Sequence, residues 1–443
     1  MNLKALALAP MCLVACDPVH VDPPDTTPRS EVLSVKAVPN PDLDLLFVID
    51  DSASMTDKQN AFTQAFPAFL AQLATIPGGM PNLHLGVVSS DMGTKGSAVE
   101  EPGPAIAGNC SNSGKAGQLL TGTATLADSP FAIVNRDGSQ NFTGSVEETF
   151  RQMASLGASG CGFEQHLHAM RASFAHPMNA GFIRSSANLA VIILGDEDDC
   201  SILDPKLFEV SEEQFGPLQS FRCFEQGVEC APDAPRELGA KQGCRPRATS
   251  PFVEDIAPFR AALLAQKAGD ARKLMLGAIL GTADAVGVEQ RDLNGMPLLA
   301  VKHSCSIPMP SGFPLVADPP VRMAALLDSF PGRTSLSTVC AADLAPSVTQ
   351  IGKAVKRLVN DPCLEKPLAN PAAPDCVVED IRDSAPDAPV AIPSCASSGE
   401  DVDCYELVPD ATCGETSLRL SVARATPASD DTWTRVQCVV PVD

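Results

Sequence analysis

Residues 44–55 read DLLFVIDDSASM. Leu45, Leu46, Phe47, Val48 and Ile49 form an apolar run with the length and β-branched content of a buried strand. The run stops at Asp50, Asp51, Ser52, Ala53 and Ser54, after which Phe62, Phe66, Phe69 and Leu73 recur at helical spacing. The order is strand, polar turn, helix. In an open α/β sheet, ligands gather beyond the carboxyl ends of the strands, so Asp50, Ser52 and Ser54 stand where a site is expected. Hard divalent cations take oxygen ligands. One carboxylate and two hydroxyls at alternating positions of a tight turn can present three oxygens to Mg²⁺, Mn²⁺ or Ca²⁺. The plainer reading is a capped helix, with Ser54 or Thr56 as the cap.

The pattern repeats outward from this stretch. Residues 84–90 (HLGVVSS) read as a second buried strand ending at Asp91. Residues 187–194 (ANLAVIIL) are nearly continuous in apolar side chains, as a central parallel strand should be, and run into Gly195, Asp196, Glu197, Asp198, Asp199 and Cys200. Further strands are expected at 131–135, 273–281, 298–302 and 334–340. Helices are expected over 145–155, where Ser145 and Glu148 make a capping-box pattern, and after the glycine-rich turn in GASGCGFEQHLHAM, residues 157–170. Others fall at 253–266, 321–330 and 345–359, and Pro67 predicts a kink in the first helix. Strands alternating with helices predict an α/β fold with a doubly wound, mostly parallel sheet. Gly-, Pro- and Cys-containing stretches at about 93–140, 201–250 and 282–319 read as insertions. His166 and His168, two apart on a helix, face different ways, so a solvated helix side is expected rather than a zinc site.

The turn at Asp50 resembles the D-x-S-x-S signature of the von Willebrand factor A family. That resemblance covers about residues 40–360 and implies a metal-ion-dependent adhesion site with Asp50, Ser52 and Ser54 as its first ligands. The family's third loop supplies an aspartate, and Asp196 matches it by position, although Gly195-Asp196-Glu197 stands where T-D-G is usual. In the second loop, Ala169-Met170 resemble the family's A-L, which puts the usual threonine position on Glu164; Ser159 is another source of a hydroxyl. Glu164 is thus either a ligand or an acid favoured at a helix N-terminus. As a ligand it would tighten cation binding and could fill the place of a partner's own carboxylate. Asp91 and Asp198 are expected to back the ligands rather than to coordinate.

The net charge is −22, which argues against nucleic acid and anionic membrane surfaces and suits divalent cations or basic partners. Residues 1–15 read as an export signal, and Leu13-Val14-Ala15-Cys16 resembles the lipobox of bacterial lipoproteins, which implies a lipid anchor on Cys16 as the sole membrane attachment. Residues 16–39, rich in proline, read as a tether, with weak alternation over 31–38 suggesting a short strand there. With Cys12 and Cys16 set aside, fourteen of the sixteen cysteines remain, room for up to seven disulfides in an oxidising compartment. Cys200 is expected to pair with Cys223, Cys230 or Cys244. Residues 361–443, with six cysteines, read as a small disulfide-rich β module. H-E-x-x-H, G-x-S-x-G and G-x-x-x-x-G-K-[ST] are absent, so the chain is expected to bind a cation and a protein partner in the cell envelope without turnover. A structural role for the metal, bracing the fold, is the alternative; a metal-dependent hydrolase is the third.

Overall fold

The structure is a computed structural model. It describes residues 29–37, 40–76, 79–94, 109–110, 112–283, 285–293, 295–308, 314–360, 362–398, 402–410, 413, 416–429 and 431–441. The expected signal, Cys16 and the proline-rich stretch up to residue 28 lie outside these residues.

Six strands, numbered here in chain order, make the central sheet: β1 (Asp42–Ile49), β2 (Asn82–Ser89), β3 (Ala132–Val134), β4 (Asn188–Leu194), β5 (Leu274–Leu280) and β6 (Thr334–Thr338). Their spatial order is β6-β5-β4-β1-β2-β3. All pairs are parallel except β2 with β3, which is antiparallel at the edge. The fold is therefore mixed α/β. Chain order reverses between β1 and β4, and their register sets Ile49 beside Leu194, so Asp50 and Gly195 emerge side by side.

The alternation of β1 feeds two cores. Leu45, Phe47 and Ile49 pack on one face with α1 (Thr56–Ala74), α2 (Val146–Ala154) and α7 (Ala345–Asn360). Leu46 and Val48 pack on the other with α3 (His166–Ala175), α5 (Ala257–Ala265) and α6 (Val321–Asp328). The helix α4 (Phe221–Gly227) belongs to the 201–250 insertion. Phe47 anchors the first core, its ring centroid 4.6 Å from that of Phe150; burying such a side chain contributes roughly 1.5–3 kcal/mol. The helix α1 continues through Pro67 as one element. Ser145 accepts a hydrogen bond from the Glu148 amide at 3.2 Å and caps α2 as its sequence predicts.

One charge in β1 has no place in an apolar-strand reading. Asp44 is fully buried, and it binds the Arg184 guanidinium at 2.8 Å, the Arg184 amide at 2.7 Å and the Lys267 ammonium at 3.3 Å. These contacts tie the amino end of the strand to the segments before β4 and after α5.

The short strand expected at 31–38 is present and takes the end of the tether into a sheet. Ser30–Lys36 is a strand, paired antiparallel with Thr432–Cys438, in a four-stranded sheet completed by Cys376–Arg382 and Ala385–Ile392. The N-terminal segment is part of the C-terminal module. Arg272 joins the two bodies: its guanidinium lies 4.1 Å from the Trp433 ring centroid and pairs with Asp383.

Seven disulfides are present among the described residues, and the six cysteines of the C-terminal module pair with one another. That density belongs to an oxidising, extracytoplasmic compartment. Among the described residues no helix is long and apolar enough to cross a membrane.

Candidate metal and ligand site

The first loop leaves the end of β1 at Asp50. Its amide donates to the Leu194 carbonyl at 2.9 Å, continuing the ladder one residue past the strand. Asp50 Oδ1 accepts from the Ser52 amide at 2.7 Å, and Ser52 Oγ lies 3.3 Å from Ser54 Oγ. The capping alternative fails: the residue at the N-cap of α1 is Met55, and no side chain caps that helix. The serines turn toward each other instead, with Ser52 buried and Ser54 exposed.

The second loop is pressed against the first. Gln59 Nε2 donates to the carbonyls of Asp50 and Gly157 at 2.8 and 2.9 Å. The Gly160 amide donates to the Asp51 carbonyl at 2.7 Å, and a Cβ at Gly160 would stand 2.1 Å from Asp51 Oδ1, so this approach requires glycine. A disulfide joins Cys161 to Cys110. Glu164 is held by its neighbours: the Gln165 amide donates to the Ser90 carbonyl at 3.0 Å and the Cys200 amide to the Glu164 carbonyl at 2.7 Å. Glu164 is not the N-terminal acid of α3. The Leu167 and His168 amides go to Asp199 Oδ1 and Ser201 Oγ, each at 2.9 Å. Ser159, the other candidate in this loop, is exposed.

Asp196 follows β4 directly. Its Oδ2 accepts from Lys58 Nζ at 2.5 Å, and the same ammonium reaches the Ser54 carbonyl at 3.1 Å. Lys58 is 3% exposed. Nothing in its local sequence singles it out, apart from its position one turn after Ser54.

Three carboxylates from three loops thus meet at the sheet's carboxyl end. Asp50 Oδ2, Glu164 Oε1 and Asp196 Oδ1 are all buried and have no hydrogen-bond partner. Burial, and then the Asp196 carboxylate, push Asp50 well above the usual carboxylate range. Burial, followed by Glu197, Asp50 and Asp196, does the same to Glu164. Glu197 is pushed up to about 8 by burial and by Asp318 and Asp196. Three buried acceptors without donors, in one field of like charge, are costly unless a cation compensates them. Their chemistry suits a hard divalent ion. Among the described residues, however, no three His, Cys, Asp or Glu side chains are already drawn to metal-ligand spacing. Lys58 supplies one positive charge to Asp196 in this arrangement.

The two expected backing residues differ. Asp91 accepts from the Gly93 amide at 2.9 Å and from Lys115 at 3.1 Å, and Lys115 also pairs with Asp51 at 2.6 Å. Asp198 does not back a ligand. Its oxygens accept from the Arg322 amide at 2.9 Å and the Met323 amide at 3.2 Å, at the N-terminus of α6, where the helix dipole favours an anion.

The expectation of solvated histidines is overturned. His166 is fully buried with both ring nitrogens unpartnered, and burial pushes it down to about 4. Its Nε2 lies where a Cβ on Gly195 would stand 2.6 Å away. His168 lies between Gln165 Oε1 at 2.9 Å and Glu254 Oε2 at 2.7 Å. Burial pushes His168 down. In Glu254 burial acts upward, but His168 and the two bonds from Arg171 outweigh it and hold the carboxyl at about 2. Both depressed values act in the same direction. Folded-state protonation is disfavoured, so their stabilisation is present at neutral pH. It fades as pH falls below the ordinary histidine value and then through the ordinary glutamate value toward 2. Urea midpoints measured between pH 7 and 3 should fall less steeply in Glu254→Gln than in the wild type; parallel curves would contradict this.

Cys200 pairs with Cys223, one of its three expected partners, and so ties the exit of the third loop to α4. Such a bond typically contributes about 2–4 kcal/mol. Cys200→Ser is expected to weaken divalent-cation binding beyond the loss of stability, with faster hydrogen exchange over residues 195–205. Unchanged exchange there would count against a pinned loop.

No protein-family model matches the chain, and no curated protein matches it. Among solved structures, the human COPII-coat protein Sec24c overlaps at a TM-score of 0.28 and 9% identity, over 91% of this chain and 40% of that one. The pilus adhesin RrgA of Streptococcus pneumoniae overlaps at 0.31 and 11% identity, over 93% and 58% respectively. The chain thus covers less than two thirds of either protein, and likenesses this slight carry no argument.

Proposed function

We propose that residues 40–360 form a doubly wound domain of the von Willebrand factor A type that binds one divalent cation and, at the same crevice, a protein partner in the cell envelope. Asp50, Ser52, Ser54, Glu164 and Asp196 would hold the ion, and a lipid on Cys16 would anchor the chain. The observation that carries this reading is the trio of buried, partnerless oxygens on Asp50, Glu164 and Asp196. The ion would supply positive charge and open coordination positions. The chain's own residues fix the loops around it, through Gln59, Gly160 and the two disulfides at Cys161 and Cys200. Those two disulfides also favour a second reading, in which the cation braces the loops and recruits nothing. Retention of envelope proteins on immobilised wild-type chain with Mg²⁺, lost with chelator and with Asp50→Ala, is the expected result. Retention indifferent to both would leave only the bracing role.

A further inference from the structure

Beside the crevice, and sharing Glu164 with it, lies a cleft of about 260 Å³. That is slightly below the roughly 300–1,000 Å³ of pockets for drug-sized ligands and suits a single side chain. One wall is acidic, with Glu164, Glu197 and Asp318; another is apolar, with Phe221 and Phe224 of α4 and Leu298 of the Gly287–Leu293/Met296–Val301 hairpin. Asp318 is already paired with His303 at 2.7 Å. Glu164 is 1% exposed and its Oε1 has no partner. Arg291, the one cation among the described lining residues, is held by Glu289 at 2.8 Å and by the Val301 carbonyl. Arg291 also lies 3.9 Å from Asp318, and Glu197 accepts a hydrogen bond from Ser220, so the acceptor left without a donor beside the apolar wall is Glu164 Oε1.

We infer that this cleft takes the side chain of a lysine on the protein partner, with its ammonium against Glu164 and Glu197 and its four-carbon stem between Phe221, Phe224 and Leu298. A lysine fits better than an arginine because the acceptors come singly from separate carboxylates, which suits a compact ammonium with three rotatable donors rather than a planar fork. The apolar walls cover the stem, as such side chains favour. The net charge of −22 favours a basic partner in general. The inference rests on the reading of the crevice as a protein-binding site; it does not require that a metal be bound there.

The probe is Nα-acetyl-lysine N-methylamide, followed by saturation-transfer NMR on the purified protein, with manganese affinity measured in parallel. The wild type should bind it at least tenfold more tightly than its Nε-acetyl form. Glu197→Gln should weaken binding at least fivefold. Leu298→Arg, a change on a half-buried hairpin position that places a tethered cation in the cleft, should abolish binding. Equal binding of the acetylated probe, undiminished binding by Leu298→Arg, or tighter binding of free cadaverine than of the lysine derivative would overturn the inference. Lost manganese binding with retained lysine binding would instead refute the metal assignment and leave the cleft standing.

Discussion

Replacing Arg322 by alanine is expected to lower the stability of the fold by about 3–5 kcal/mol, as removal of one partner from a buried ion pair does. The guanidinium is fully buried. It donates to Asp199 Oδ2 at 3.1 Å, to the Asp199 carbonyl at 3.0 Å and to the Glu254 carbonyl at 2.6 Å. Asp199 in turn accepts the Leu167 amide that opens α3, and Ser201 Oγ at 2.8 Å. Burial pushes the Asp199 carboxyl up, but Arg322, the Leu167 amide, His166 and Ser201 together outweigh it and hold it below the usual range. Without Arg322 that charge is stranded, and the third loop, the start of α3 and α6 lose their common tie. Arg322→Lys should recover only part of the loss, because one ammonium cannot span the same acceptors. Urea denaturation gives the answer; a loss below about 1 kcal/mol would mean that Asp199 does not depend on this partner.

The second large effect lies at Lys58. Its ammonium is the positive charge that the structure sets on Asp196. Lys58→Met removes it from a crevice that already holds unpartnered oxygens of Asp50 and Glu164. In chelator the variant should be destabilised by roughly 3 kcal/mol or more. Saturating Mg²⁺ or Mn²⁺ should restore most of that loss, since binding to the folded state alone adds stability by mass action. Cation affinity should rise at least tenfold, equivalent to about 1.4 kcal/mol, because the ion no longer competes with a tethered charge. A variant with unchanged affinity and no rescue by metal would show that Lys58 and the cation occupy independent places.

Much of the central sheet could be read from local pattern. The runs at Leu45 and Leu189 are long, apolar and sharply ended, so the strands and the loops that follow them were legible, and with them Asp50 and Asp196. The Ser145 cap and the pairing of Cys200 within the insertion are short-range features and were legible for the same reason. What escaped depends on partners far away in sequence. His168 is buried because Glu254 comes to meet it, and Asp44 is tolerated in β1 because Arg184 and Lys267 converge on it. Ser30–Lys36 joins the C-terminal sheet across nearly the whole chain, a pairing that composition cannot signal. At the site itself, the spacing of Asp50, Ser52 and Ser54 located the first loop. The reach of Lys58 to Asp196, and the gathering of Glu197 and Asp318 nearby, follow only once the loops are assembled.

We propose that the buried, unpartnered oxygens at the sheet's carboxyl end hold a divalent cation. Calorimetric titration of the purified chain with Mg²⁺, Mn²⁺ and Ca²⁺ tests it most directly, with Asp50→Ala run alongside. The Asp50 side chain makes one short-range hydrogen bond, from the Ser52 amide, and its removal relieves repulsion with Asp196, so the variant should keep its fold. The predicted result is a single binding event in the wild type that is absent in Asp50→Ala at an essentially unchanged denaturation midpoint. Equal affinity in the two proteins, or no binding of any of the three ions by the wild type, would contradict the account.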